Sequence, residues 1–128
     1  MKANAVIALI IVVSFTLGAL AVEGLHAQAK PPGYVIVEAT LTDADGYVKE
    51  FVPPAAKAIA EGGGKYLARG GATAPFTGSP PPQRFVLLQF ASMDKAQAWW
   101  DSPGRKDAQA IGDKFALFRV FAAEGVSP

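Results

Sequence analysis

The chain has 128 residues, twelve basic and eleven acidic, and the basic residues form no stripe; this near-neutral balance excludes the electrostatic footprint of a nucleic-acid binder. There is no cysteine, so a disulfide and a lipid-modified N-terminal cysteine are both excluded, and the one histidine is His26. This length allows a single domain.

In chain order, the first stretch is not part of that domain. Met1-Lys2 is a short positive start, Ala5 to Val22 carries no charge, and Ala27-Gln28-Ala29 is the small-x-small pattern read by signal peptidase. Residues 1–29 therefore read as a signal peptide cleaved after Ala29, which predicts export to the periplasm or beyond. The alternative is a retained anchor, since 18 uncharged residues are just enough to cross a bilayer. Membrane contact is expected only through such an uncleaved leader. The remaining domain, residues 30–128, loses Lys2 and Glu23 with the leader and keeps eleven basic and ten acidic residues.

That domain contains neither His nor Cys. Ser-His-Asp and Cys-His nucleophile activation are thereby excluded. So are ordinary zinc or copper sites and haem held by His or Cys. No metal and no cofactor are expected, and any chemistry must run on Asp, Glu, Tyr, Lys, Arg, Ser, Thr or backbone.

Lys30-Pro31-Pro32-Gly33 is a stiff entry. Tyr34 to Thr40, rich in β-branched residues, predicts a strand. Asp43 or Asp45 can cap a helix whose apolar side carries Tyr47, Val48 and Phe51. Pro53-Pro54 is expected to break it, with a restart through Glu61 and termination at Gly62-Gly63-Gly64. Lys65 to Arg69 is a second strand, residues 70–82 a Gly/Pro-rich loop, and Arg84 to Phe90 the clearest strand. Ser92 caps a helix through Trp100, which Ser102-Pro103-Gly104 breaks. A short helical piece follows over Asp107 to Phe115, then a last strand from Leu117 to Glu124.

The order strand, helix, strand, strand, helix, strand is the ferredoxin-like βαββαβ arrangement: an α+β fold with a four-stranded antiparallel sheet and both helices on one face. Strand side chains alternate between faces. Tyr34 and Ile36 oppose Val35 and Val37; Phe85 and Leu87 oppose Val86, Leu88 and Phe90; Leu117 and Phe121 oppose Phe118 and Val120. Both faces are apolar, whereas an antiparallel sheet with one wet face shows polar alternation there. The helices cover one face, and a second copy of the chain is the simplest cover for the other, which predicts a homodimer.

Three stretches carry a family resemblance: Gly63-Gly64-Lys65-Tyr66-Leu67-Ala68-Arg69-Gly70-Gly71, Arg84-Phe85-Val86-Leu87-Leu88-Gln89-Phe90, and Ser92-Met93-Asp94-Lys95-Ala96-Gln97-Ala98-Trp99-Trp100-Asp101-Ser102-Pro103. Together they resemble the domain-of-unknown-function 1330 family over almost all of residues 33–126. The resemblance implies the dimeric α+β barrel fold, in which two ferredoxin-like sheets pack face to face; that superfamily includes cofactor-free monooxygenases, isomerases and pure binding modules. Where the family usually has Tyr two residues beyond the Ser-Pro, this chain has Arg105, and where it usually has Arg in the following helix, this chain has Gly112.

Arg69, after a strand and before Gly70-Gly71, is a candidate to hold a carboxylate or enolate. Glu38 is the candidate general base; it shares a strand face with Tyr34 and Ile36, and the expected strand order sets it beside Arg119, with which it can pair. Tyr47 and Tyr66 are candidate hydrogen-bond donors to a ligand, Trp99 a candidate cleft wall, Arg105 a candidate for an anionic pocket mouth, and Ser102 a further ligand-binding candidate within the Asp101-Ser102-Pro103 helix terminator. The leading functional expectation is a small molecule, apolar or anionic, bound in a cleft between sheet and helices, oriented by Arg69 and Glu38. The alternatives are a cofactor-independent isomerase or monooxygenase with Glu38 as base and Arg69 steadying an oxyanion, and a structural dimer with a filled core.

Overall fold

The computed structural model of the chain describes residues 30–128. The leader expected over residues 1–29, with its cleavage site, lies outside the described residues. Among the described residues, no helix is long and apolar enough to cross a membrane.

The elements are β1 (Gly33–Leu41), α1 (Ala44–Gly46), a π-helical turn (Tyr47–Phe51), α2 (Val52–Glu61), β2 (Lys65–Arg69), β3 (Arg84–Phe90), α3 (Met93–Asp101), α4 (Pro103–Gly112) and β4 (Ala116–Glu124). The four strands form one antiparallel sheet in the order β2-β3-β1-β4, the ferredoxin-like arrangement.

Side-chain hydrogen bonds explain where the helices start. The Asp43 carboxylate accepts from the Gly46 N–H at 3.1 Å, and the Ser92 hydroxyl accepts from the Lys95 N–H at 3.3 Å. The Ser102 hydroxyl donates to the Trp99 carbonyl at 2.7 Å, closing α3, and accepts from the Arg105 N–H at 3.4 Å, opening α4. Pro103 takes the first position of α4, where its missing N–H costs nothing. The helix expected from Asp107 therefore begins four residues earlier: Ser102-Pro103 ends one helix by starting the next.

Pro53-Pro54 does not break the first helical segment. The backbone stays in the right-handed helical region through Phe51 and Val52, and the prolines fall in the first turn of α2. The wider turn just before them closes from the Val52 N–H to the Tyr47 carbonyl. It also brings the Tyr47 and Phe51 rings together, with centroids 5.0 Å apart.

One sheet face is packed under the helices. Val35, Val86, Leu88 and Phe90 meet Ile59 of α2 and Ala96 and Trp99 of α3 in one cluster. Ala39, Tyr47 and Ala116 form a second, with Phe51, Phe115 and Phe118 against it. Leu88 and Phe90 are essentially inaccessible, and full burial of such a side chain stabilises by about 1.5–3 kcal/mol.

The opposite face has no helix. The pairing aligns Tyr34 with Gln89 and Ala123, Ile36 with Leu87 and Phe121, and Thr40 with Leu117 on that side. In its midst Glu38 lies between Phe85 and Arg119, and its carboxylate accepts from the Arg119 guanidinium at 2.6 Å. The pairing anticipated from strand order is present.

Candidate functional site: an arginine-lined aromatic cleft

Between the two core clusters the helix-covered face leaves a cavity of about 70 Å³, open on one side. At about 15 Å³ per enclosed water-sized position, it holds roughly five such groups. Its walls come from every layer: Val37, Val86, Leu88, Phe118 and Val120 of the sheet, Ile59 of α2, and Trp99 and Trp100 of α3. Tyr47 and Tyr66 add phenol rings. The charged groups in the lining are Arg69, Arg84 and Arg105; the lining contains no Asp or Glu.

Arg69 reaches the cleft because of an irregularity in β2. Tyr66 pairs with Leu88 and Arg69 with Val86, two residues of the same helix-covered face, although Tyr66 and Arg69 are three apart in sequence. Regular alternation would send them to opposite faces. The register shift between Tyr66 and Ala68 absorbs one residue, as a β-bulge does, and returns Arg69 to the side of Tyr66. The Arg69 guanidinium then lies over the Tyr66 ring, 4.7 Å from its centroid.

Arg84 begins β3 on the core side, in phase with Val86, Leu88 and Phe90. Its guanidinium is 5.4 Å from the centre of the Tyr47 ring. It also packs against the chain at Gly70, where a Cβ would come within 3.0 Å of the guanidinium carbon. Gly70 has φ +62, so glycine is favoured there twice over, by conformation and by space. Arg84 is thereby held beside the residue that follows Arg69. Burial pushes the Tyr47 hydroxyl above its ordinary pKa, and the charge and hydrogen bonding of Arg84 oppose that shift.

Two buried donors of the lining residues have no hydrogen-bond partner among the described residues: Arg84 Nε and Trp99 Nε1. Neither Arg69 nor Arg84 takes part in an ion pair among those residues. An unsatisfied buried donor typically costs about 1–3 kcal/mol, so two among the residues lining one cavity form a feature that folding alone does not explain.

Arg105 closes the cleft near Trp100. Its guanidinium lies 3.8 Å from the centre of the Trp100 ring, its Nε donates to the Trp100 carbonyl, and one terminal nitrogen donates to the Gln109 side chain at 3.4 Å. Burial lowers its pKa from the ordinary arginine value, while Asp101 and Asp113 oppose this. Gly112, further along α4, has no room for a side chain: a Cβ would approach the Phe51 ring to 2.6 Å and Phe118 to 3.0 Å.

The residues singled out from sequence divide accordingly. Arg69, Tyr47, Tyr66, Trp99 and Arg105 converge on the cleft. Ser102 does not; its hydroxyl is used up in linking α3 to α4. Glu38 does not either. It lies on the opposite face of the sheet, paired with Arg119, so it and Arg69 cannot share one ligand in one protomer. Arg84 was missed, although its alternation with Val86, Leu88 and Phe90 was a visible signal. Phe51, Val52 and Phe118 were also missed as lining, because they meet only through helix packing.

A second groove, about 260 Å³, runs between α3 and the β4 side of the sheet and shares Trp99, Trp100 and Val120 with the cleft. It is wider but carries no charge, and Gln97 is the one residue there with a polar side-chain amide. Among the described residues no group of three or more His, Cys, Asp or Glu side chains is placed to hold a metal.

A four-stranded antiparallel sheet in the order β2-β3-β1-β4, with its helices on one face and an aromatic cleft beneath them, defines an α+β protein of ferredoxin-like fold. The chain belongs to the family described as domain of unknown function (DUF1330), whose model matches residues 32–126. No curated protein matches significantly. Among solved structures, the chain is similar to the RPA0582 protein of unknown function from Rhodopseudomonas palustris, at 12% identity and a TM-score of 0.62, over 84% of this chain and 94% of that one. It is also similar to SnoaB, a cofactor-independent oxygenase from Streptomyces nogalater, at 10% identity and a TM-score of 0.53, over 77% of this chain and 96% of that one. At these identities the likeness is one of fold.

Proposed function

We propose that this is an exported homodimeric binding protein that holds a small apolar or anionic molecule in the cleft between sheet and helices, without a metal or cofactor. The observation that carries the reading is the cleft itself: apolar and aromatic walls, three arginines, and two buried donors left unpartnered. The dimer part rests on the helix-free face, where Phe121 and Leu117 are 43% and 70% exposed in the protomer beside Tyr34, Ile36 and Leu87. The export part rests on the leader pattern of residues 1–29.

An enzyme that uses Glu38 as base is disfavoured, because that carboxylate and the cleft lie on opposite sides of the sheet and no acid lines the cleft. A filled structural dimer is disfavoured by the open cavity.

Native mass spectrometry of the protein purified gently from its own compartment tests the three parts together. The expected result is twice the mass of the chain beginning at Lys30, plus a retained small molecule. A monomer with no added mass would remove both the dimer and the binding reading, and an intact N-terminus at Met1 would remove cleavage.

A further inference from the structure

The charges of the cleft specify its ligand more narrowly. Arg69 and Arg84 are brought to one wall by two separate local devices, the irregularity in β2 and the glycine at position 70. Each packs on a phenol ring, Arg69 on Tyr66 and Arg84 on Tyr47, which fixes the two planar forks beside flat apolar surfaces. No acid of the lining offsets them, and neither is ion-paired elsewhere among the described residues. Two like charges lining one cleft repel each other, and an anion bound between them turns that repulsion into attraction. The buried Arg84 Nε and Trp99 Nε1 supply donors that lack a protein acceptor.

We propose that the cleft binds a monocarboxylate with a planar aromatic or unsaturated body, its carboxylate taken by Arg69 and Arg84 and its body packed between Tyr47, Tyr66 and Trp99. A planar carboxylate matches the guanidinium fork, which donates two parallel hydrogen bonds to it. The walls, Val86, Leu88, Phe118 and Val120 among them, favour a body without further charge. The cavity of about 70 Å³ encloses only part of a ring-sized group, with the rest of the body extending through the open side. This assignment rests on the binding function proposed above and narrows its ligand class.

Benzoate is the probe, and benzyl alcohol is its uncharged counterpart of similar shape. The chain has two tryptophans, Trp99 and Trp100, both lining the cleft, so intrinsic fluorescence reports its occupancy. The purified protein is expected to show saturable quenching by benzoate with a dissociation constant at least tenfold below that of benzyl alcohol. That preference should shrink with added salt and collapse toward unity in Arg69→Gln. Arg69 is exposed, so this variant keeps its fold, which makes it the primary test beside the more buried Arg84→Gln. Equal affinity for the two probes, or a preference that survives both substitutions, would overturn the carboxylate assignment and leave the cleft as a neutral binding site. Saturation by neither probe would overturn the binding function together with it.

Discussion

The two faces of the sheet are built from the same strands, residue by residue in alternation, yet they treat charge in opposite ways. On the helix-free face one acid and one base meet, Glu38 with Arg119 at 2.6 Å, amid Tyr34, Ile36, Leu87 and Phe121. On the helix-covered face three arginines line an aromatic cleft that contains no acid. A surface prepared to meet another apolar surface must neutralise its charges, because an unpaired charge taken out of water costs several kcal/mol. A cleft prepared to meet an anion keeps its cations free. On the proposed reading, pairing rather than the mere presence of charge separates the proposed assembly face from the proposed ligand cleft.

The largest effect that sharpens this comparison comes from the covered face. Leu88 is fully buried where the core meets the cleft. Leu88→Ala should cost about 2–5 kcal/mol, read as a lower urea midpoint at unchanged slope. A loss under about 1 kcal/mol would mean that the covered face is not the stabilising one.

Next is the helix-free face. Leu117 is 70% exposed in the protomer, so Leu117→Asp should change protomer stability by no more than about 0.5 kcal/mol. In the proposed dimer the same change buries a charge against an apolar partner. It should raise the dimer dissociation constant tenfold or more, by sedimentation or native mass. An unaffected dimer would place the interface elsewhere.

The ion pair gives a smaller effect. Arg119 keeps 71% of its side chain exposed in the protomer, so Glu38→Gln should cost within about 1 kcal/mol when the protein is dilute. At concentrations that favour the dimer the loss should exceed this, because Arg119 is then left unpaired in the interface. Equal losses at high and low concentration would break the contrast between the faces.

The smallest effect is confined to alkaline pH. Burial raises the Tyr47 hydroxyl above its ordinary value, so its contribution is complete below the unfolded value of about 10 and is lost as pH rises through the folded one. Tyr47→Phe should therefore retain stability better than the wild type above about pH 10 and run parallel to it below. Parallel curves at every pH would show that the hydroxyl is solvated.

Much of this architecture was legible from neighbouring residues. Asp43 and Ser92 cap the helices that follow them, because a short side-chain oxygen meets free N–H groups two or three residues on. Two-sided apolar alternation located three strands and announced that one face would lack cover. The Glu38–Arg119 pair followed from alternation plus strand order. Arg84 was equally readable, being in phase with Val86 and Leu88. The continuous passage through Pro53-Pro54 was not, because a π-helical turn upstream decides it, and neither was the start of α4 at Pro103.

The position of Arg69 shows most clearly where local reading ends. Sequence alone determined a compact α+β chain with two apolar sheet faces and a domain free of His and Cys, since these depend on residue type and on a period of two. Which face Arg69 occupies was decided only by tertiary structure. By regular alternation from Tyr66 it belongs on the sheet face that carries Glu38. The shift in register between β2 and β3 moves it to the other side of the sheet, away from Glu38 and beside Arg84. That shift is a property of two strands pairing across a 14-residue connection, and no single segment carries it.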